Sequence, residues 1–491
     1  MIDKILRLGK EAAIYGLSSI VGRFLNFLLV PIYTNLLLPA DYGVIATLYS
    51  YIAFAAIVFG YGMDAAYMRF AVSWEEGDKK QTYSVPLLSV AASSFLLSAL
   101  IHWHAPFLSN VMGLGEGAVP LVRMSAWILF FDAIVLVPYA ALRMENKAGT
   151  FAIIRITNIV LTIVFNVIFL VGMDMKADGV VLANLVSSAL TVIPHLRGIL
   201  PNLTFRLSGR LYKQLLAFGL PYLPAGLASV AMQVIDRPIM KALTDDATVG
   251  IYQANYRMGV FMMLVVGMFD YAWRPFFLRH AREPGAKQLF SRVFTFFCVL
   301  AVSLFVVLTL FIEDLIRIRL GSAYFIHPDY WEGAKIIPVI LLAYVLNGAY
   351  VNFLVGVYLE KRTSVLPYIF GAGAVVNVAA NVLLIPLYGM MGAAYATLLS
   401  YAVLAAGIFV PSQRLYRIEY EWGKILALLS VATLIVSVFR LLLPDPAYGH
   451  LLVKAGLVAA FAILVLFARV VSREDFKMTR GAVGQFSDAA E

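Results

Sequence analysis

Apolar residues fall in fourteen runs separated by short polar stretches, and each run is long enough for a membrane-spanning helix of ~20 mostly apolar residues. The runs cover 14–38, 44–70, 85–107, 119–142, 151–171, 180–199, 215–243, 250–273, 289–312, 334–358, 366–387, 390–410, 425–443 and 451–471. A backbone in lipid must satisfy its own hydrogen bonds, which selects helices over open sheet. The pattern therefore predicts an all-α polytopic membrane protein of about 14 transmembrane helices.

The pattern also repeats. Pro31, Ile32, Leu36, Gly43, Tyr49 and Phe54 recur as Pro238, Ile239, Leu243, Gly250, Tyr256 and Phe261, each 207 positions later without a gap. Each copy ends its second helix with an acid followed by an arginine, Asp64 and Arg69 in the first and Asp270 and Arg274 in the second. Further on, Glu145 and Asn166 are matched by Glu360 and Asn381, now 215 positions apart, so an insertion is expected in the loop around 322–331. Six runs precede a basic stretch at 201–213 and six more follow it before a second basic segment at 413–424. Because six is even, both copies enter the membrane in the same direction and form parallel six-helix lobes, a repeat plan used by transporters. The domains read as 1–200, a cytoplasmic linker at 201–213, a second lobe at 214–412, an extra helix pair at 413–471 and a polar cytoplasmic tail at 472–491.

Composition agrees: 62% of the 491 residues are hydrophobic and 14% charged, with a mean hydropathy of +0.85. Charge adds orientation. With the N-terminus inside, inner segments hold 26 lysines and arginines and outer ones 5. This positive-inside bias places both termini in the cytoplasm of a bacterial inner membrane. It also accounts for the net charge of +9 without a nucleic-acid partner. Lys4, Arg7 and Lys10 before the first run resemble a signal peptide, but that run is too long and lacks a small-residue cleavage site, so a retained helix is expected. Cys298 is the only cysteine, which excludes disulfides and thiolate clusters within the chain.

Ionisable residues inside the runs are the candidate chemistry, since each costs ~2.5 to 3.5 kcal/mol at the centre of a bilayer unless it faces protein or water. Arg23, Arg123, Arg237 and Arg257 outnumber Asp132 and Asp236. An excess of buried arginine suits an anionic ligand, because guanidinium matches phosphate oxygens two at a time. The four arginines are the candidate substrate-binding residues. Interfacial snorkelling is the alternative for Arg123, Asp236 and Arg237. Asp132 and Asp236 are the candidates for coupling to a proton or sodium gradient, against simple pairing with a nearby arginine. Asp64 with Arg69 and Asp270 with Arg274 are candidate inner-gate pairs, against plain interfacial anchoring. Pro31, Pro238, Pro221 and Pro224 are candidate hinges, because proline removes a backbone donor and clashes with the preceding turn. No phosphate-binding loop, Asp-x-Asp pair or His-Glu-x-x-His is present. His102 and His104 share one helix end without a metal-site pattern, so neither a catalytic group nor a bound metal or cofactor is expected.

The chain resembles the polysaccharide-type flippases of the multidrug/oligosaccharidyl-lipid/polysaccharide exporter superfamily. The resemblance is carried by 16–26, by Pro31 with Leu38-Pro39-Ala40-Asp41-Tyr42-Gly43, by Gly60-Tyr61-Gly62-Met63-Asp64 running into Arg69, and by Tyr330-Trp331-Glu332-Gly333-Ala334-Lys335-Ile336-Ile337-Pro338. It implies two lobes around a central cavity open alternately to each face. The implied cargo is a polyprenyl-pyrophosphate-linked oligosaccharide of O-antigen, capsule or exopolysaccharide type, moved from the inner to the outer leaflet by a monomer, with membrane lipid and a polysaccharide polymerase as candidate partners. A peptidoglycan or teichoic-acid precursor flippase is the alternative within the superfamily. A membrane polysaccharide polymerase is the alternative outside it.

Overall fold

The computed structural model describes residues 16, 20–73, 79–443, 448–468 and 470. The charged N-terminal residues and the tail at 472–491 lie outside the described residues. Among the described residues, twelve helices are long and apolar enough to cross a membrane: α2 (Pro39–Val72), α3 (Lys79–Trp103), α4 (Glu116–Met144), α5 (Ala148–Gly172), α6 (Lys176–Asn202), α7 (Gly209–Val234), α8 (Asp246–His280), α9 (Ala286–Ile316), α10 (Pro328–Leu359), α11 (Thr363–Tyr388), α12 (Met390–Leu415) and α13 (Trp422–Leu442). Two shorter apolar helices, α1 (Ile20–Leu36) and α14 (Leu451–Phe467), complete the fourteen segments. The protein is an all-α polytopic membrane protein. One end of the bundle gathers the basic loops and is called the basic end below.

Four of the helix breaks lie three residues before a proline, whereas Pro86, Pro194, Pro275, Pro386 and Pro411 sit inside unbroken helices. α1 is interrupted at Leu28, three residues before Pro31, where the Leu28 N–H reaches back to both Phe24 and Leu25 carbonyls. The same spacing of three recurs at Ile235 before Pro238, where α7 gives way to its continuation Asp236–Leu243. It recurs again at Pro221 before Pro224, and at Val135 before Pro138 in α4. In each case the missing N–H and the ring loosen the preceding turn. A different device bends α2: Tyr61 and Gly62 both take left-handed conformations, with φ of 30° and 73°, before the helix restarts at Met63.

The duplication is visible in three dimensions. Asn146 and Lys361, 215 positions apart, both have φ 55° and form the same helix-ending turn. In these turns the Lys147 and Arg362 N–H groups return to the Leu142 and Val357 carbonyls. More telling is the crossing of α2 and α8 at the end opposite the basic one. A methyl group added to Gly43 would run into the Asp246 carbonyl, and one added to Gly250 into the Pro39 carbonyl. Pro39 and Asp246 are themselves 207 positions apart, so the contact is reciprocal, as at a two-fold axis. Only residues without a Cβ permit so close an approach.

At the basic end the two halves meet again. A side chain at Gly62 would collide with the Gly219 carbonyl, and Phe70 lies edge-on to Phe218 at 6.3 Å. The bundle is thus joined at both ends. The stretch expected as a linker at 201–213 is largely helical: α6 runs through Asn202, α7 begins at Gly209, and Ser208 caps it by accepting from the Leu211 N–H. Ser84 of α3 pins the intervening turn, donating to the Asn202 carbonyl and accepting from the Thr204 N–H.

The loop expected to hold the insertion forms a two-stranded hairpin, β1 (Arg319–Leu320) and β2 (Ala323–Tyr324). Asn35 of α1 grips it like a strand, donating to the Tyr324 carbonyl at 2.6 Å and accepting from its N–H at 3.0 Å. The extra pair α13 and α14 is anchored by an ion pair between Lys454, wholly buried, and Asp314 at the end of α9. Asp314 also accepts from the Gly449 N–H at 2.9 Å.

Candidate functional site

A cavity of about 500 Å³ lies between α1 and helices of the second lobe, and Arg23, Arg237 and Arg257 all line it. Among the described residues, no aspartate or glutamate does. The three arginines are brought there by the two broken helices α1 and α7 and by α8, whose residues 257–259 tighten into a 3-10 turn at the cavity wall. A local excess of positive charge follows.

The arginines are held in different ways. Arg237 is buried and three of its five N–H donors are in use: Nη1 bonds Asp236 Oδ1 at 2.6 Å and the Gln233 carbonyl at 2.5 Å, and Nε bonds Gln253 Oε1 at 3.0 Å. Its guanidinium lies 4.2 Å from the Tyr256 ring centroid. Asp236 is saturated in turn, since Tyr252 donates to its second oxygen at 2.6 Å. Gln253 and Tyr252 tie this buried pair to α8, and removing one partner would strand the other charge.

Arg23 and Arg257 make no salt bridge or hydrogen bond among the described residues. Arg23 is exposed to the cavity. Arg257 sits 5.8 Å from the ring centroids of both Tyr33 and Tyr42. Its N–H donors are therefore uncommitted. These two arginines supply the charge that an anion in the cavity would meet.

Other candidates fall elsewhere. Arg123 is exposed, near the start of α4, and does not line the cavity; one turn into its helix, it reaches the surface as a long side chain at an interface does. Asp132 lies deeper on α4, beside Ser188 of α6 and Tyr49 of α2. Of the two expected gate pairs, Asp270 and Arg274 form a bidentate ion pair at 2.7 and 3.0 Å. Asp64 and Arg69 do not pair among the described residues. The reason is helical geometry: residues four apart share a face, whereas residues five apart point well away from each other.

Several lining residues carry no charge and so stand out less in the sequence. Asn26, Gln233, Gln253 and Asn347 supply amides, and Tyr256 and Tyr344 touch through their hydroxyls at 3.4 Å. Asparagine and glutamine are scattered through many of the apolar runs. Only the helical spacing of Gln253, Tyr256 and Arg257 along α8 marks a polar stripe, which ends at Val260.

The fold has counterparts among solved structures. One is the lipid II flippase MurJ in an inward closed conformation, with a TM-score of 0.72 and 15% identity over 92% of this chain and 97% of that one. A second is an inward-facing multidrug resistance MATE family transporter of the MOP superfamily, with a TM-score of 0.65 and 15% identity over 82% and 97%. A third is a MOP superfamily transporter from Pyrococcus furiosus, for which a binding pocket of reversed polarity is described. It has a TM-score of 0.57 and 15% identity over 83% and 95%. These likenesses establish the fold. No curated protein matches the chain in sequence. The profile of the polysaccharide biosynthesis protein family covers residues 8–280, more than half of the 491, and the chain belongs to that family.

Proposed function

We propose that the protein flips a polyprenyl-pyrophosphate-linked oligosaccharide from the cytoplasmic to the outer leaflet of a bacterial inner membrane, by alternating access. The observation that carries this reading is the cavity lined by three arginines and no carboxylate. Its volume suits a headgroup, while the polyprenyl tail stays in lipid. The basic end faces the cytoplasm in this reading, as the distribution of lysine and arginine favours, and both termini lie there.

Opening requires the contacts at one end to part while those at the other hold. The breaks before Pro31 and Pro238, at matching places in α1 and α7, are where those helices flex. The break before Pro224, with Pro221 beside it, serves the lower half of α7. Net movement needs cargo or a coupling ion to favour the two states differently. Asp236 is committed to Arg237 and Tyr252, so Asp132 is the better candidate for coupling to a proton or sodium gradient. Asp270 with Arg274 closes the cytoplasmic side of α8 as an ion pair.

The test is transport of a fluorescent polyprenyl-pyrophosphate oligosaccharide in liposomes, with and without imposed gradients. Arg23→Ala and Arg257→Ala should each lower flipping about 10- to 100-fold, the worth of charge-assisted hydrogen bonds, at unchanged membrane abundance. Unchanged flipping in both would remove the cavity from the mechanism. A peptidoglycan precursor carries the same pyrophosphate, and the MurJ-like fold keeps it in view; competition between the two lipids in one assay assigns the headgroup.

A further inference from the structure

Arg257 belongs to the second copy of the duplicated unit, but the rings facing it, Tyr33 and Tyr42, belong to the first. Neither tyrosine lines the cavity; both lie behind the arginine. Each is fixed from its own side. Tyr33 donates to Asn166 of α5 at 3.0 Å, and that asparagine donates to the Thr162 carbonyl at 2.7 Å. Tyr42 packs edge-on against Tyr33 at 5.6 Å and against Tyr330 of α10 at 6.2 Å. Its hydroxyl is buried without a partner, so its ring is held by packing alone.

We propose that Tyr33 and Tyr42 are positioning residues that seat Arg257 for the anionic headgroup, and that they do so only while the lobes meet at the end opposite the basic one. The inference rests on the cavity reading above and adds a cause for state-dependent affinity. A ring face attracts a guanidinium through its quadrupole and takes up none of its N–H donors. Arg237, held by a carboxylate and two amide oxygens, keeps only its Nη2 donors for a ligand. Arg257 is placed and remains free to bond phosphate oxygens in the plane of its guanidinium.

Geometry supplies the second half. Tyr42 lies one residue before Gly43, at the reciprocal crossing of α2 and α8. Parting that crossing carries the tyrosines away from Arg257. The headgroup then loses a positioned arginine at the moment the cavity opens to the outer face. Such a difference in affinity between states is what release on that side requires.

The experiment measures binding of inorganic pyrophosphate to the full-length protein in nanodiscs. Arg257→Ala should weaken binding by about tenfold or more. Tyr33→Leu and Tyr42→Leu should each weaken it by about tenfold, and Tyr33→Phe and Tyr42→Phe should restore most of the affinity because the ring remains. Replacing either tyrosine with phenylalanines of increasing fluorine content should weaken binding stepwise, since fluorine drains the ring face without changing its shape. That series decides the matter even if a leucine variant fails to fold. Insensitivity to fluorination, alongside a weakened Arg257→Ala, overturns the seat and leaves the cavity reading standing. Wild-type binding by Arg257→Ala overturns both.

Discussion

The two copies of the duplicated unit share a backbone and differ in charge. Pro31 and Pro238 break matching helices, Gly43 and Gly250 touch across the axis, and Tyr49 and Tyr256 each engage a polar partner, Asn184 and Tyr344. Yet where the second copy has Asp236, Arg237, Gln253 and Arg257, the first has Leu29, Val30, Ala46 and Ser50. Residues that set the path of the chain are duplicated. Those that meet the cavity are not. The symmetric frame supplies two matched halves, and one side alone carries most of the charge. Arg23 is the exception: it comes from α1, and its counterpart 207 positions on is Val230.

The sharpest way to break this comparison is at the axis. Gly43→Leu and Gly250→Leu each drive a side chain into a carbonyl of the other copy, and overpacking of rigid backbone should cost on the order of 3 kcal/mol or more. Both should lower the melting temperature in detergent and abolish transport to a similar degree. Clearly unequal effects would show that the contact is not reciprocal in the working protein.

An effect of comparable origin is expected at the unmatched pair. Asp236→Ala leaves Arg237 buried without its carboxylate and should destabilise the fold by ~3 to 5 kcal/mol. Replacing both residues by those of the first copy, Asp236→Leu with Arg237→Val, should recover most of that loss in thermal melting, because a buried pair exchanged for packed apolar groups is often neutral. A double variant no more stable than the single one would mean that the pair holds the local structure by more than its charge.

The smallest effect compares the ends of α2 and α8. Asp270→Asn weakens a half-exposed ion pair, and its cost should stay below ~1 kcal/mol. Asp64→Asn should be indistinguishable from wild type in the same melting measurement. A larger effect at Asp64 would assign it a partner in another conformation.

The fourteen segments were legible in the sequence because a lipid-facing helix has few alternatives. The breaks before Pro31, Pro224 and Pro238 were legible because proline acts locally. The break before Pro138 has the same spacing, but Pro86, Pro194 and Pro275 leave their helices unbroken, so residue type alone does not say where a helix breaks. What the pattern could not supply was partnership. A spacing of four makes an ion pair and a spacing of five does not, which separates Asp270 and Arg274 from Asp64 and Arg69. Depth singles out Arg23, Arg237 and Arg257 but leaves unsaid that one is tied to a carboxylate and another rests against two rings. Lys454 sits within the last apolar run with nothing nearby in sequence to explain it; its partner Asp314 is 140 residues away.

The crossing of Gly43 and Gly250 also bears on the history of the chain. In a pair of separate six-helix chains, one glycine and one carbonyl would meet their own counterparts across the axis, and a single codon would set both halves of the contact. Once the copies share a gene, each half mutates independently, and a change in either must be tolerated by the other. The positions at the axis are those where fusion left the least freedom to diverge, while the cavity wall, where the second copy faces open space instead of its twin, was released to specialise.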